Sequence, residues 1–494
     1  MTDTLAPDPR RWRALGVIAL VQFMLVLDIT VVNVALPHIQ TDLHFSRAGL
    51  AWVVDGYVLT AGGLLLLGGR LGDLLGRRRL FIGGVLLFAA ASAASGASAD
   101  AGMLVASRFV QGMGEAIASP AAFGLVALLF TDAKERAQAI GIFGGVAGLG
   151  GTLGPVISGV LISVASWRWI FYVNVPVGIF AALVTLRLVS ESRAERARNA
   201  PRPDFEGAIL GTAGLVGIVY GLISAGDHPW GSTQVVVSMV AGVAALAAFV
   251  ARERTASDPL VPVGFLHNRT RVSANIANLF FASVFFTVFY LLTLYLQDVE
   301  HYSTIETGVA YLPFGIVIGL GIATSSALVT RIGLKPLLSA GSLLTAVGVL
   351  LLSRIAVHGS YVDDTLPALI VTAFGSGLSF AAFGNASMHD VSGQDASLAA
   401  GVQSTSQQVG GAVGLAVLAT MALRHARSAV AHGTNAAAAS TQGAVLAFRI
   451  GALVALAGAI FIAFAPIAAP GSVAAVADPA AGPATDQAAE PPAI

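Results

Sequence analysis

The sequence predicts an all-α integral membrane protein with fourteen spanning helices, and three observations carry that expectation. The chain has 494 residues, of which 56% are hydrophobic and only 11% charged, whereas a soluble domain carries about 25% charged residues. Apolar stretches of roughly 20 residues recur from end to end, the length that crosses about 30 Å of hydrocarbon as a helix. The basic residues gather in the short polar segments between these stretches, as they do on the cytoplasmic face of a membrane protein.

The expected spans are 14–37, 50–69, 79–99, 102–129, 137–163, 168–189, 206–225, 234–251, 272–296, 307–330, 335–354, 366–388, 398–423 and 443–467. With the N-terminus inside, about 20 of the 27 basic residues fall on cytoplasmic segments, which places both termini in the cytoplasm. The first apolar run begins near Ala14, has no cleavage-like end and carries Asp28, so it reads as a retained helix rather than a signal peptide. Residues 1–13 are then a cytoplasmic N-terminus and 14–189 a six-helix bundle. Residues 190–205 form a polar, Arg-rich linker, and 206–251 hold two short, Gly-rich helices without a buried charge. A second linker, 252–271, contains Pro259 and Pro262, and 272–467 form another six-helix bundle. The Ala- and Pro-rich tail, 468–494, is expected to be disordered.

Several function classes are excluded. Net charge is zero, and no basic block suggests nucleic acid. There is no Cys, hence no disulfide or thiolate metal site. The two Lys, Lys134 and Lys335, do not follow Gly, so no phosphate-binding P-loop exists. No His-Glu-xx-His zinc pair is present, and His389-Asp390 stands alone. No cofactor is implied, and an enzyme is not expected.

Asp28 lies about 14 residues into the first span, or ~21 Å at 1.5 Å per residue. A carboxylate inside hydrocarbon is costly and marks a functional site by default. In the fourth span, Arg108, Gln111, Gly112, Glu115 and Ser119 fall within about 100° of one another around the helix. Such a stripe must face the bundle interior or an aqueous cavity. Arg108 and Glu115 are two turns apart, too far to pair directly without water. The fifth span is dense in Gly, and Pro155 follows Gly154 there. Gly at three- and four-residue spacing lets helices touch backbone to backbone, and Pro weakens the helix locally. In the second half, Phe281, Phe285 and Phe289 share a face, alongside the amides of Asn275 and Asn278. That stripe reads either as packing or as a wall for bulky amphipathic compounds.

Four motifs carry a resemblance. Gly69, Leu71, Gly72, Asp73, Gly76, Arg77 and Arg78 match the pattern of the loop between helices two and three of the major facilitator superfamily. Arg108, Gln111, Gly112 and Gly114 are similar to its fourth-helix motif. Gly150, Gly154, Pro155 and Gly159 resemble its antiporter motif, with Ser158 where Gly is usual. The first-helix run from Leu27 to Pro37, with Trp52, Asp55, Tyr57 and Asn174 further on, resembles the 14-spanning drug:proton antiporter branch.

The resemblance implies a major facilitator fold, two six-helix bundles plus two inserted central helices. It implies export of drugs, antibiotics or other amphipathic small molecules from the bacterial cytoplasmic membrane by proton antiport. A same-fold transporter of one metabolite (a self-made antibiotic, a siderophore or an amino acid) is the alternative. Asp28, Glu115 and Arg108 are the expected proton-coupling residues. Gly69, Asp73, Gly76, Arg77, Arg78, Gly154 and Pro155 are the expected conformational elements, the loop acting as a cytoplasmic latch. Asn33, Gln111, Asn275, Phe281 and Phe285 are the expected substrate contacts. Asp55, close to the outer end of its span, is expected to be solvated. The partners are a small molecule, protons and lipid, with no nucleic acid, and a monomer is expected.

Overall fold

A chain this apolar has to satisfy its backbone internally once in lipid, and helices do so within each segment. The computed structural model describes residues 10–130, 132–189, 203–391 and 396–467. Fourteen helical segments follow in order: α1 Arg11–Asp42, α2 Trp52–Leu75, α3 Arg77–Gly96, α4 Ala101–Leu129, α5 Ala133–Val164 and α6 Trp169–Leu188. An additional pair is α7 Phe205–Ser224 and α8 Thr233–Glu253. The second bundle holds α9 Arg269–Val299, α10 Thr304–Ile332, α11 Leu334–Leu352, α12 Tyr361–Ser387, α13 Ala396–Ala431 and α14 Ala436–Phe464. Thirteen of these segments are long and apolar enough to cross a membrane. The other, α4, has 29 residues and packs between α2 and α3. Among the described residues there is no strand.

Every expected span is a helix. The largest departures are at α13 and α14, where helix continues through much of the expected 424–442 loop. The linker at 190–202 and the tail from 468 onward lie outside the described residues.

Helix starts follow local chemistry. Asp100, Asn268 and Asn435 each accept a bond from the backbone N–H three residues on, and Ser303 and Glu306 form a reciprocal capping box. Two glycines with positive φ divide helices at corresponding places in the bundles. Gly76, at φ 100°, separates α2 from α3, and Gly333, at φ 82°, separates α10 from α11. A side chain is strained in such a conformation by about 1–3 kcal/mol. Gly76→Ala is therefore expected to lower the thermal unfolding midpoint in detergent by a few degrees. An unchanged midpoint would show that the turn relaxes.

The bundles meet along two seams, α5 with α10 and α2 with α13. The end bearing Arg77 to Arg79 is called the basic end below. Away from it, α5 and α10 touch closely. A Cβ on Gly308 would lie 2.5 Å from the Pro155 carbonyl oxygen, and one on Gly159 would lie 3.0 Å from Ile305 Cα. Thr152 donates to the Gly315 carbonyl at 3.3 Å, and Gln297 reaches the Val34 carbonyl on α1 at 2.9 Å. Toward the basic end the same face of α5 continues with Gly141, Gly145 and Gly148, where an added Cβ would meet nothing within 4 Å among the described residues of neighbouring segments. The α5–α10 seam is thus shut at the opposite end and open at the basic end.

The additional pair bridges the other seam. Helix α7 packs on both α2 and α13, and α8 packs on α7. At the opposite end Arg424 of α13 donates to the carbonyls of Ala225 (2.7 Å) and His228 (3.1 Å), while Arg427 pairs with Asp227.

Candidate functional site

The first bundle surrounds one buried ion pair. Asp28 of α1 is 0% exposed and Arg108 of α4 is 1% exposed. Arg108 Nη1 donates to Asp28 Oδ2 at 2.5 Å. The other carboxylate oxygen accepts from Gln111 Nε2 at 2.8 Å and Asn174 Nδ2 at 2.9 Å. Ser92 of α3 accepts from Asn174 (3.0 Å) and Gln111 (3.3 Å), and itself donates to the Phe171 carbonyl. Arg108 also donates to the Val53 carbonyl at 2.8 Å and to Gln111 Oε1 at 2.9 Å. Its guanidinium lies 4.3 Å from the Tyr57 ring centroid. Backbone or side chains from α1, α2, α3, α4 and α6 all meet here, which a buried pair requires, since each charge needs several hydrogen bonds to offset desolvation.

Glycine makes the meeting possible. Gly112, one turn from Arg108, lies so close to α2 that a Cβ would run into the Tyr57 carbonyl oxygen. Gly154 of α5 sits against Thr30 of α1 in the same way. Ser158, the departure from the usual glycine, donates to the Val31 carbonyl at 2.6 Å. It replaces a close approach with a direct tie between α1 and α5.

Further along the α4 stripe stands Glu115, 7% exposed, with Oε2 buried and without a hydrogen-bond partner among the described residues. One turn beyond it, Ser119 lines a cavity between the bundles. Gln22, Leu66, Phe123, Phe143 and Ser404 also line this cavity, with Gly69 and Arg70 at the basic end. The walls combine amide and hydroxyl groups with two aromatic rings, the mixture that amphipathic small molecules need.

The other expected site residues fall elsewhere. Asn33 is buried and donates to the Ile29 carbonyl of its own helix. Gln111 is committed to the ion pair. Asn275 donates to the Arg271 carbonyl, leaving Oδ1 buried without a partner. Phe281 packs against Phe380 and Phe383 in the core of the second bundle, and Phe285 against Phe289, Phe314 and Phe380. Neither ring lines the cavity, so in this conformation the stripe serves packing.

In the loop, Arg77 donates to the Gly124 carbonyl and Arg78 to the Val189 carbonyl, both at 3.0 Å. The side chain of Asp73 lies outside the described residues. Asp55 corrects an expectation: it is 0% exposed rather than solvated, and both carboxylate oxygens lack a partner among the described residues. Depth along the helix was a poor guide there, because α4 covers that end of α2, with Val105 and Phe109 beside Gly56. Sequence reasoning did not find Ser92, and it gave Asn174 no chemical role. Ser92 and Ser95 of α3 share a face, but nothing in the sequence shows that Ser92 meets α1, α4 and α6 there.

Fold and site together describe a multi-pass membrane transporter with two pseudo-equivalent bundles. Residues 18–415 match the family model described as Major Facilitator Superfamily, and the chain belongs to that family. It is 40% identical over 457 residues to the puromycin resistance protein pur8 of Streptomyces alboniger, covering 90% of each chain. It is 37% identical to the lincomycin resistance protein of Streptomyces lincolnensis, covering 84% of this chain and 85% of that one. With the tetracenomycin C resistance and export protein of Streptomyces glaucescens it shares 33% identity, over 83% of this chain and 76% of the other. Among solved structures, a bacterial homologue of the human lysosomal transporter Spinster, inward-facing and occupied, gives a TM-score of 0.66 at 15% identity. That alignment covers 92% of this chain and 97% of the other, and at such identity it speaks for the fold alone.

Proposed function

We propose that this chain exports antibiotics or related amphipathic molecules across the bacterial cytoplasmic membrane, driven by proton entry. The basic end is then cytoplasmic, as are both termini, and the conformation described is open toward the cytoplasm. The observation that carries the coupling is the Asp28–Arg108 pair, held by Gln111 and Asn174 out of reach of lipid. A proton added to Asp28 cancels the charge that holds Arg108, so protonation and bundle geometry become linked. Coupling requires that the proton be held differently in the two conformations, because otherwise the gradient does no work. Substrate enters from the cytoplasm into the cavity beside Ser119, Phe123 and Phe143. Glu115, one turn away with a free carboxylate oxygen, is the second proton-exchanging group.

The loop from Gly69 to Arg78 holds the cytoplasmic ends of α2, α3 and α4 together, and Gly154 and Pro155 form the bending seam against α1 and α10. A second reading, export of one self-made antibiotic, is favoured by relatives whose names each cite a single compound. Efflux assays in a pump-deficient bacterium, with puromycin, lincomycin and a fluorescent lipophilic cation, separate the readings. Protonophore-sensitive efflux of all three supports broad specificity, efflux of one supports the narrow case, and none with protein in the membrane refutes broad export and points to a single substrate outside this set.

Glu115→Gln is expected to reduce efflux at least tenfold while leaving the protein folded, because the amide keeps the shape of the side chain and Oε2 has no hydrogen bond to lose among the described residues. Normal efflux in this variant would remove Glu115 from the proton pathway.

A further inference from the structure

The segment between α8 and α9 is fixed to both bundles. On the first bundle, Asp258 pairs with Arg70 of α2 at 3.0 Å. Arg70 occupies the one place in the Gly69 to Gly72 motif that the family pattern leaves open. Two residues on, Leu260 is 3% exposed and packs in an apolar socket with Leu67 of α2 and Ala208 of α7. The carboxylate of Glu253 accepts from the backbone N–H of Leu260 and of Val261, both at 3.1 Å, which fixes the turn out of α8. On the second bundle, Phe265 is buried beneath Arg271, whose guanidinium lies 4.3 Å from the ring centroid. Between the two anchors, Pro262 lines the cavity.

The geometry points to a strap: residues 258–265 tether α2 to α9 across the cytoplasmic mouth, limit how far that mouth opens, and form part of the entry wall that a substrate passes. Leu260 and Phe265 are five residues apart, so the chain between them reaches at most ~18 Å even when fully extended. Pro259 and Pro262 fix φ and stiffen it further. Helix α2 belongs to one bundle and α9 to the other, so any rocking that opens the cytoplasmic side pulls on this segment. The additional pair thereby gains a role beyond packing, since α8 and α7 hold the strap's first anchor in place.

This inference rests on the rocking of two bundles proposed above, but its test needs neither substrate nor gradient. The chain has no Cys, so paired Cys at Leu75 and Ile332, both exposed at the cytoplasmic ends of α2 and α10, take spin labels uniquely. Pulsed electron resonance on purified full-length protein then reads the width of the mouth. A second pair at Val164 and Val362, both exposed at the opposite end, is the control for folding.

Inserting Gly-Ser-Gly after Pro262 lengthens the strap with both anchors intact. It is expected at least to double the population at long distance for the cytoplasmic pair, with the opposite pair still giving a defined distance. Asp258→Arg is expected to act in the same direction, and Arg70→Asp added to it to restore the original distribution. Unchanged distances in both the insertion and Asp258→Arg would overturn the strap. Failure of the double variant to restore the distribution would overturn the ion-pair anchor. Shifted distances in a protein that exports nothing would leave the strap standing and refute the transport reading instead.

Discussion

Asp28→Asn is expected to abolish gradient-driven export while the protein still reaches the membrane, and Arg108→Ala is expected to do greater structural damage. The difference follows from what each leaves behind. Asn at position 28 keeps a polar group of the same shape within reach of Gln111 and Asn174, and Arg108 keeps its bonds to the Val53 carbonyl and Gln111 and its place over the Tyr57 ring, so the packing of five helices is preserved. Removing Arg108 strands a buried carboxylate, and breaking a buried pair from one side costs about 3–5 kcal/mol. Arg108→Ala should therefore fall in expression or in thermal midpoint, whereas Asp28→Asn should fall in transport alone. Western blots of membranes beside efflux rates separate the two. Wild-type stability in both variants would mean that the pair does not hold the bundle together.

Gly308→Leu is the second large effect. Gly308 lies against the backbone of Pro155 and Val156, where even a Cβ would come within 2.5 Å of a carbonyl oxygen. A leucine there forces α10 away from α5 at the end opposite the basic loop, and overpacking of this kind costs about 1–3 kcal/mol. The conformation closed at that end is then disfavoured and export is expected to drop at least tenfold. A Cys introduced at Val34, buried and facing Gln297 through its carbonyl, reports the change. Its labelling by a membrane-impermeant maleimide from outside should rise several-fold in the Gly308→Leu background. Unchanged labelling together with normal export would show that the seam does not need glycine.

Much of the fold was legible because lipid leaves few options. Length and apolarity alone located every helix, and the ends that moved, on α13 and α14, are those where polar residues such as Arg424 and Arg427 sit on helix beyond the apolar run. The site was legible one helix at a time. The stripe Arg108, Gln111, Glu115 and Ser119 on α4 was visible from its angular spacing, and so was the depth of Asp28. Their pairing was not, because which face of α1 meets which face of α4 is decided by packing among several helices. Asn174 and Ser92 each contribute one polar group from α6 and α3, and nothing in spacing joins them to Asp28.

Phe281 and Phe285 illustrate the reverse case. A shared face predicts that side chains act together, but the same pattern serves a core and a cavity wall, and here Phe380 and Phe383 complete a core. The strap was invisible for a different reason. Asp258, Leu260 and Phe265 lie in a polar, Pro-containing segment that reads as a linker; their partners Arg70 and Leu67 come from a span of the first bundle, and Arg271 reads as part of the same linker.

The most direct test of proton coupling at Asp28 uses purified protein in liposomes. Puromycin or lincomycin, whichever the cell assay favours, is followed under an imposed pH gradient and, separately, in exchange at equal pH on both sides. The account predicts that wild type accumulates substrate against its gradient and also exchanges it. Asp28→Asn should exchange substrate, because the bundles still rock, but should not accumulate it. Accumulation by Asp28→Asn at the wild-type level would contradict the account and move the coupling to another residue.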